Sequence, residues 1–412
     1  GQSNNNKEMA TLLPARLIPV NCARLQLGMY VAELDRSWLH TSFHAQGFML
    51  SHVEQIEELQ RLCEYVYVDP VLSDHGDDEM FSTGLTARVE VLPDGGAPTP
   101  LARQRLELRN LGHAFAAAVQ GVRRSEELVL PPLRRALEPV VTSLVGDADT
   151  IPWLLATELK VGFLHRRAIG SAVLMALAGR RIGFERPLLD ELALAGLLLD
   201  IGKVSVPITI LAKMTPLSGH ERAFVERHVR RGLYMVRAAS PVSETVEDAV
   251  LGHHERLDGS GYPRHLRGTQ IPLPARLAGL VDTYDAMLQD RRYARAVAAH
   301  DAMRLVNGMG GRKFDTAIVR SFMRALGLFP TGSWLQIADG RLGIVRRQAE
   351  DEPTRPYVAL VSDSAGRRLP AGPTLWQPIR HGDIVTTVPL RCLQVPRRQL
   401  DESLSAAANL AA

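Results

Sequence analysis

From residue 101 to about residue 328, apolar side chains recur at helical spacing, with Pro and Ser punctuation between segments. The middle of the chain is therefore expected to be all-α. Both flanks differ. Residues 12–71 alternate apolar and polar positions in "IPVNCARLQLGMYVAEL", turn at Gly28, and continue through "SHVEQIEELQRLCEYVYVD". Here Ser51 and Glu54 predict a capping box that opens a helix, followed by a strand over Tyr65–Val68. After Pro330, "SWLQIADGRLGIVRR", "YVALVSDSAGRRL" and "GDIVTTVPLRCLQV" are short β-branched runs separated by Asp-Gly and Ala-Gly turns. The expected fold is multidomain. It has a small α+β N-terminal domain (12–71), a linker (72–100) rich in Gly, Pro and Asp, connecting helices (101–149), an all-α domain (150–328), a small β-rich C-terminal module (331–396) and a tail (397–412).

Composition narrows the partners. The 412 residues are 46% hydrophobic and 23% charged, with a formal charge of +3 spread along the chain. That balance suits a globular protein, and the charge is too weak and scattered for a nucleic acid polymer. The three cysteines, Cys22, Cys63 and Cys392, have no paired spacing and fit a reducing cytoplasm. The longest apolar stretches are too short for a membrane span, and no secretory signal is visible. The polar opening "GQSNNNKE" reads as a tail ahead of Met9.

Several polar residues in the helical region sit where packing alone would not choose them. In the segment 156–179, Val161, Leu164, Ala168, Ala172 and Met175 form an apolar stripe that includes His165. A helix over 188–201 is apolar almost all round and ends in Asp200, an aspartate expected to face the interior and to need a partner or a cation. "LSGHERAFVERHVRRG" opens with a Ser218/Glu221 capping box and carries His228 in its C-terminal half. A helix over 243–255, capped by Ser243, runs an apolar stripe into His253 and His254. "RLAGLVDTYDAM" sets Asp282 and Asp285 on one helical face.

Each of these has an ordinary explanation when taken alone. A single histidine on an apolar face is usually a hydrogen-bonded core residue, Asp200 could pair with an arginine, and Asp285 could bond a loop or Arg276. Four imidazoles and two carboxylates on successive buried helices are harder to attribute to packing. Mixed His/Asp ligation suits iron, manganese or zinc, and a bridging carboxylate would suggest two ions that activate water for hydrolysis.

The stretch "HHERLDGSGYPRHLRGTQIPLPARLAGLVDTYDAM", residues 253–287, resembles the signature of HD-GYP domains, a branch of the HD metallohydrolases. The resemblance covers about 150–328, and "LGMYVAELDRSWL" with "GFML" looks like the domain of unknown function that often precedes them. It implies hydrolysis of cyclic di-GMP with two, sometimes three, divalent ions, often iron. It further implies His165, Asp200, His228, His253, His254 and Asp282 as metal ligands, with Asp200 bridging. Lys203 would face a phosphate and act with Asp200 in catalysis. Tyr262 would shape the substrate site, while Arg291 and Tyr293 would contact substrate. Iron or manganese, one or two ions, is the implied cofactor. GGDEF-type proteins and a second copy of the chain are the implied protein partners.

Three positions depart from the pattern. Leu199 stands where the His-Asp pair has its histidine, and an aliphatic side chain cannot ligate a metal. Val161 replaces a glutamate that supports a third ion in some members, so no third ion is expected. Ala294 replaces a basic residue after Tyr293, which removes a phosphate contact unless Arg292 or Arg295 supplies it. Two functions follow from this sequence: a metal-dependent cyclic di-GMP phosphodiesterase, impaired or not by Leu199, and an inactive receptor that binds the dinucleotide or GGDEF-type partners.

Overall fold

In a computed structural model of the chain, the region read as helical forms helices, and two small antiparallel sheets flank it. The structure describes residues 18–34, 48–63, 65–69, 100–124, 126–157, 163–211, 213, 215–239, 241–288, 297–349, 356–364, 377–378 and 384–387. The expected linker, apart from residue 100, and the tail lie outside these residues, as do Arg291, Tyr293 and Ala294.

The first sheet contains β1 (Ile18–Asn21), β2 (Tyr30–Leu34), β3 (Phe48–Met49) and β4 (Tyr65–Asp69), in the order β1-β4-β2-β3. One helix, α1 (Val53–Leu62), buries Leu59 with Val31, Val66 and Val68. α1 starts later than the Ser51/Glu54 box predicts. It is Gln55 whose side-chain oxygen accepts from the backbone N–H groups of Ser51 (2.8 Å) and His52 (2.9 Å).

The helical body runs through α2 (Pro100–Arg123), α3 (Leu130–Gly146), α4 (Thr150–Thr157), α5 (Phe163–Ile182), α6 (Arg186–Leu198), α7 (Ile208–Leu211), α8 (Gly219–Glu226), α9 (His228–Ala239), α10 (Glu244–Gly252), α11 (Leu273–Met287), α12 (Ala299–Gly308) and α13 (Thr316–Leu326). Its core is continuous: Leu108, Leu111 and Phe115 of α2 and Leu133 and Leu137 of α3 join the cluster formed by α5, α6, α10 and α11. Each fully buried Leu or Phe contributes about 1.5–3 kcal/mol to holding this body together. At the centre, α5 lies along α6 at a close crossing. A Cβ on Gly196 would come within 2.5 Å of the Ser171 carbonyl oxygen, so only glycine lets the backbones meet there.

The second sheet comprises β5 (Trp334–Ile337), β6 (Leu342–Arg347), β7 (Tyr357–Leu360), β8 (Gln377–Pro378) and β9 (Ile384–Thr387), in the order β8-β7-β6-β5-β9. It is fastened to the helices. The Asp149 carboxylate accepts from Thr331 Oγ1 (2.8 Å) and the Gln348 backbone (3.2 Å), and the Arg346 guanidinium lies 4.6 Å above the Trp153 ring.

Three helix expectations change. The helix predicted over 188–201 ends at Leu198, and a 3-10 turn spans Ile201–Ser205, which leaves Asp200 at the junction. The single helix predicted through His228 divides at Arg227, so that His228 begins α9. Ser243 precedes α10, but its side chain accepts no helix N–H, and its hydroxyl donates to Glu191 at 2.6 Å.

Candidate metal centre

α6 is buried almost all round, from Leu189 to Leu198, and its chain end has no exposed face to present. Asp200, the first polar residue after it, is therefore delivered into the interior. The turn that follows needs Gly202: a Cβ there would lie 2.0 Å from the His228 carbonyl oxygen and 2.6 Å from the Gly232 nitrogen. That contact seats the turn of Asp200 against the first turn of α9.

Two other helix ends complete the cluster. His228 opens α9 and His253 closes α10, both fully buried, with His254 the next residue. One ligand atom from each of Asp200, His228, His253 and His254 lies within 4.8 Å of all the others. The rings are oriented from behind. His228 Nδ1 donates to the Val225 carbonyl (2.8 Å) and His253 Nδ1 to the Val250 carbonyl (2.9 Å), which leaves each Nε2 as an acceptor. The two Nε2 atoms are 3.4 Å apart, and they lie 3.3 Å and 3.8 Å from Asp200 Oδ1. Lone pairs thus converge on lone pairs. Asp200 Oδ1 and His254 Nε2 are also buried without a hydrogen-bond donor. This donor set fits a cation, the one species that would satisfy all of these atoms together.

The electrostatics favour ligand protonation states. Burial opposes the charge on Asp200, but Lys203 and Arg167, with His228 and His253 beside it, hold its carboxyl well below the usual carboxylate range. Burial pushes His254 well below the ordinary imidazole value, and the neighbouring His253, His228 and Lys203 add to the shift. Burial also lowers His228, with Asp200 partly opposing it.

The Tyr262 ring stacks on His254 with centroids 4.6 Å apart. Burial, reinforced by Asp200, raises its phenol above the ordinary tyrosine value. Lys203 Nζ lies 2.7 Å from Asp200 Oδ2, so its ammonium is tied to the carboxylate. Asp282 is buried on α11 with Oδ2 4.0 Å from His254 Nδ1. Asp285 faces α5, and Arg276 pairs instead with Asp315 at 2.8 Å. His165 lies in α5, but its side chain is outside the described residues.

The residue that sequence reasoning missed is Arg167. Only 8% exposed, it donates from Nη2 to Asp282, and it lies 3.6 Å from both Asp200 Oδ2 and Asp285 Oδ2. Burial opposes its charge, yet the three carboxylates outweigh burial and raise its pKa above the ordinary arginine value. Leu199, the residue before Asp200, is buried at 2% exposure.

Residues 153–318 match the family described as HD domain, and residues 17–129 match a domain of unknown function, DUF3391. The cyclic di-GMP phosphodiesterase PA4108 of Pseudomonas aeruginosa is 32% identical over 342 residues, covering 80% of this chain and 81% of that protein. A cyclic di-GMP phosphodiesterase of Thermotoga maritima is 30% identical over 39% of this chain and 44% of its own length. The 3'3'-cGAMP-specific phosphodiesterase 1 of Vibrio cholerae is 35% identical over 39% of this chain and 38% of its own length. A matching domain pair and a relative aligned along most of both lengths place the chain in the HD-GYP family of HD domain proteins.

Proposed function

We propose that the chain is a metal-dependent phosphodiesterase that hydrolyses cyclic di-GMP. The observation that carries this reading is the convergence of Asp200, His228, His253 and His254 within 4.8 Å, in a chain 32% identical to a cyclic di-GMP phosphodiesterase over 80% of its length. A bound divalent ion supplies Lewis acidity and an activated water. The protein's own groups do the rest. His228 and His253 hold their protons on Nδ1, against backbone carbonyls, and present Nε2 to the ion. Lys203, paired with Asp200 Oδ2, supplies a fixed positive charge for a phosphodiester oxygen. Tyr262 covers one face of His254 and limits how water reaches it.

Iron or manganese is the proposed ion, since mixed imidazole and carboxylate ligation suits either. The cytoplasm is the proposed compartment, because the three cysteines of the sequence have no paired spacing. No helix among the described residues is long and apolar enough to cross a membrane. Arg291 and Tyr293 are proposed as substrate contacts on the family resemblance alone.

The deciding experiment is turnover of cyclic di-GMP by protein loaded with Mn(II) or Fe(II), with 3'3'-cGAMP as a second substrate and His228→Ala as control. Linear dinucleotide or GMP is expected from the parent protein alone. A receptor that binds without cleaving is the second reading, favoured by Leu199 in place of a ligand. Tight binding without product, restored to turnover by Leu199→His or not, would replace the enzyme reading.

A further inference from the structure

The two oxygens of Asp200 face unlike surroundings. Oδ1 looks into the His228/His253/His254 cluster. Oδ2 looks the other way, onto Lys203 Nζ at 2.7 Å and Arg167 Nη1 at 3.6 Å. The resemblance implies a second ion bridged by Asp200, and the implied ligands that the cluster leaves for it are Asp282 and His165, with Leu199 where a histidine is expected. The residues present do not fit it. The Arg167 guanidinium is hydrogen-bonded to Asp282 and flanked by Asp285 at 3.6 Å, so three carboxylates already surround one permanent cation. Leu199, next to Asp200 in sequence and buried, has no imidazole to offer an ion.

We propose that this chain holds a single metal ion, at Asp200, His228, His253 and His254, and that the Arg167 guanidinium is a built-in cation in the place of a second. Arg167 thereby becomes a positioning residue: it fixes the Asp282 and Asp200 carboxylates and supplies positive charge that does not depend on metal supply. Arginine suits the role, because its planar fork binds several carboxylate oxygens at once and stays charged when buried. The inference rests on the metal-dependent reading above, but it concerns the number of ions rather than the reaction.

Metal content of the purified protein after equilibration with Mn(II), measured by elemental analysis alongside electron paramagnetic resonance, tests it without any variant. One ion per chain with an uncoupled Mn(II) hyperfine pattern is expected. Two ions with exchange coupling would overturn the proposal and leave the phosphodiesterase reading standing. No bound ion would overturn both. The double variant Arg167→His/Leu199→His rebuilds imidazoles on that side and is expected to hold two ions, with thermal melting used to confirm that it folds. A folded double variant that still holds one ion would overturn the assignment of Arg167 as the occupant.

Discussion

The Glu255 carboxylate anchors the backbone of Arg264, accepting its N–H at 2.7 Å and that of Leu266 at 3.0 Å. Those two bonds tie down the end of the loop that sets Tyr262 over His254. Glu255 is 3% exposed, so its removal leaves two part-buried donors without their partner. Glu255→Ala is expected to cost about 3 kcal/mol, and Glu255→Gln, which keeps one acceptor, roughly half as much. Urea denaturation measures both. Equal losses for the two variants would show that the loop does not depend on these bonds.

Gly202→Ala should damage the site from behind. Its Cβ would overlap the His228 carbonyl, and backbone cannot step aside as a flexible side chain does. A loss of about 2–3 kcal/mol is expected. Displacement of α9 should also weaken metal binding, which calorimetric titration with Mn(II) would register. Unchanged affinity would mean that the turn and α9 move together.

Glu191 on α6 joins three segments, binding Arg134 of α3 and accepting from Ser243 ahead of α10. Burial works against its charge, but Arg134 and Ser243 prevail and lower its pKa from 4.5. A carboxylate held below its unfolded value stabilises the fold above that value, and the contribution disappears as pH falls through the folded pKa. Glu191→Gln should therefore cost on the order of 1 kcal/mol at neutral pH and flatten the acid limb of the stability curve below about pH 4.5. Parallel curves for parent and variant would contradict this.

Metal should act as a stabiliser. Lone pairs that face one another in the ion-free cluster are relieved by a cation, and an ion bound only by the folded chain at a hundredfold excess over its Kd adds about 2.7 kcal/mol. Differential scanning calorimetry with and without Mn(II) should show a raised melting temperature, reversed by chelation. The shift should vanish in His253→Ala. If that variant shifted equally, the ion would be binding elsewhere.

Much of this is legible in the sequence. His253 and His254 stood out because two imidazoles ended an apolar stripe, and Asp200 because nothing around it in α6 was polar. The strand-rich flanks followed from alternation and turn residues. Arg167 was missed for a physical reason. Arginine in a helix normally lays its stem on the core and keeps its head in water, and Arg166 beside it offered the same chemistry. The one available signal was position: Arg167 lies four residues before Ser171, a buried polar residue on the face α5 turns toward α6. The break at Arg227 left no trace either, for no glycine or proline marks it.

The clasp at Asp149 bears on how this protein can be dissected. Trp153 is fully buried, with Arg346 of the second sheet lying over its ring, and Trp334, Ile344 and Ala359 belong to the same apolar cluster as the helices. A fragment cut to the HD domain limits, 153–318, would expose that cluster on one side and lose α2 and α3 on the other. The smallest autonomous unit is thus much larger than the segment that bears the proposed ligands, and an isolated HD fragment that proved inert would report a torn core rather than a wrong assignment of the site.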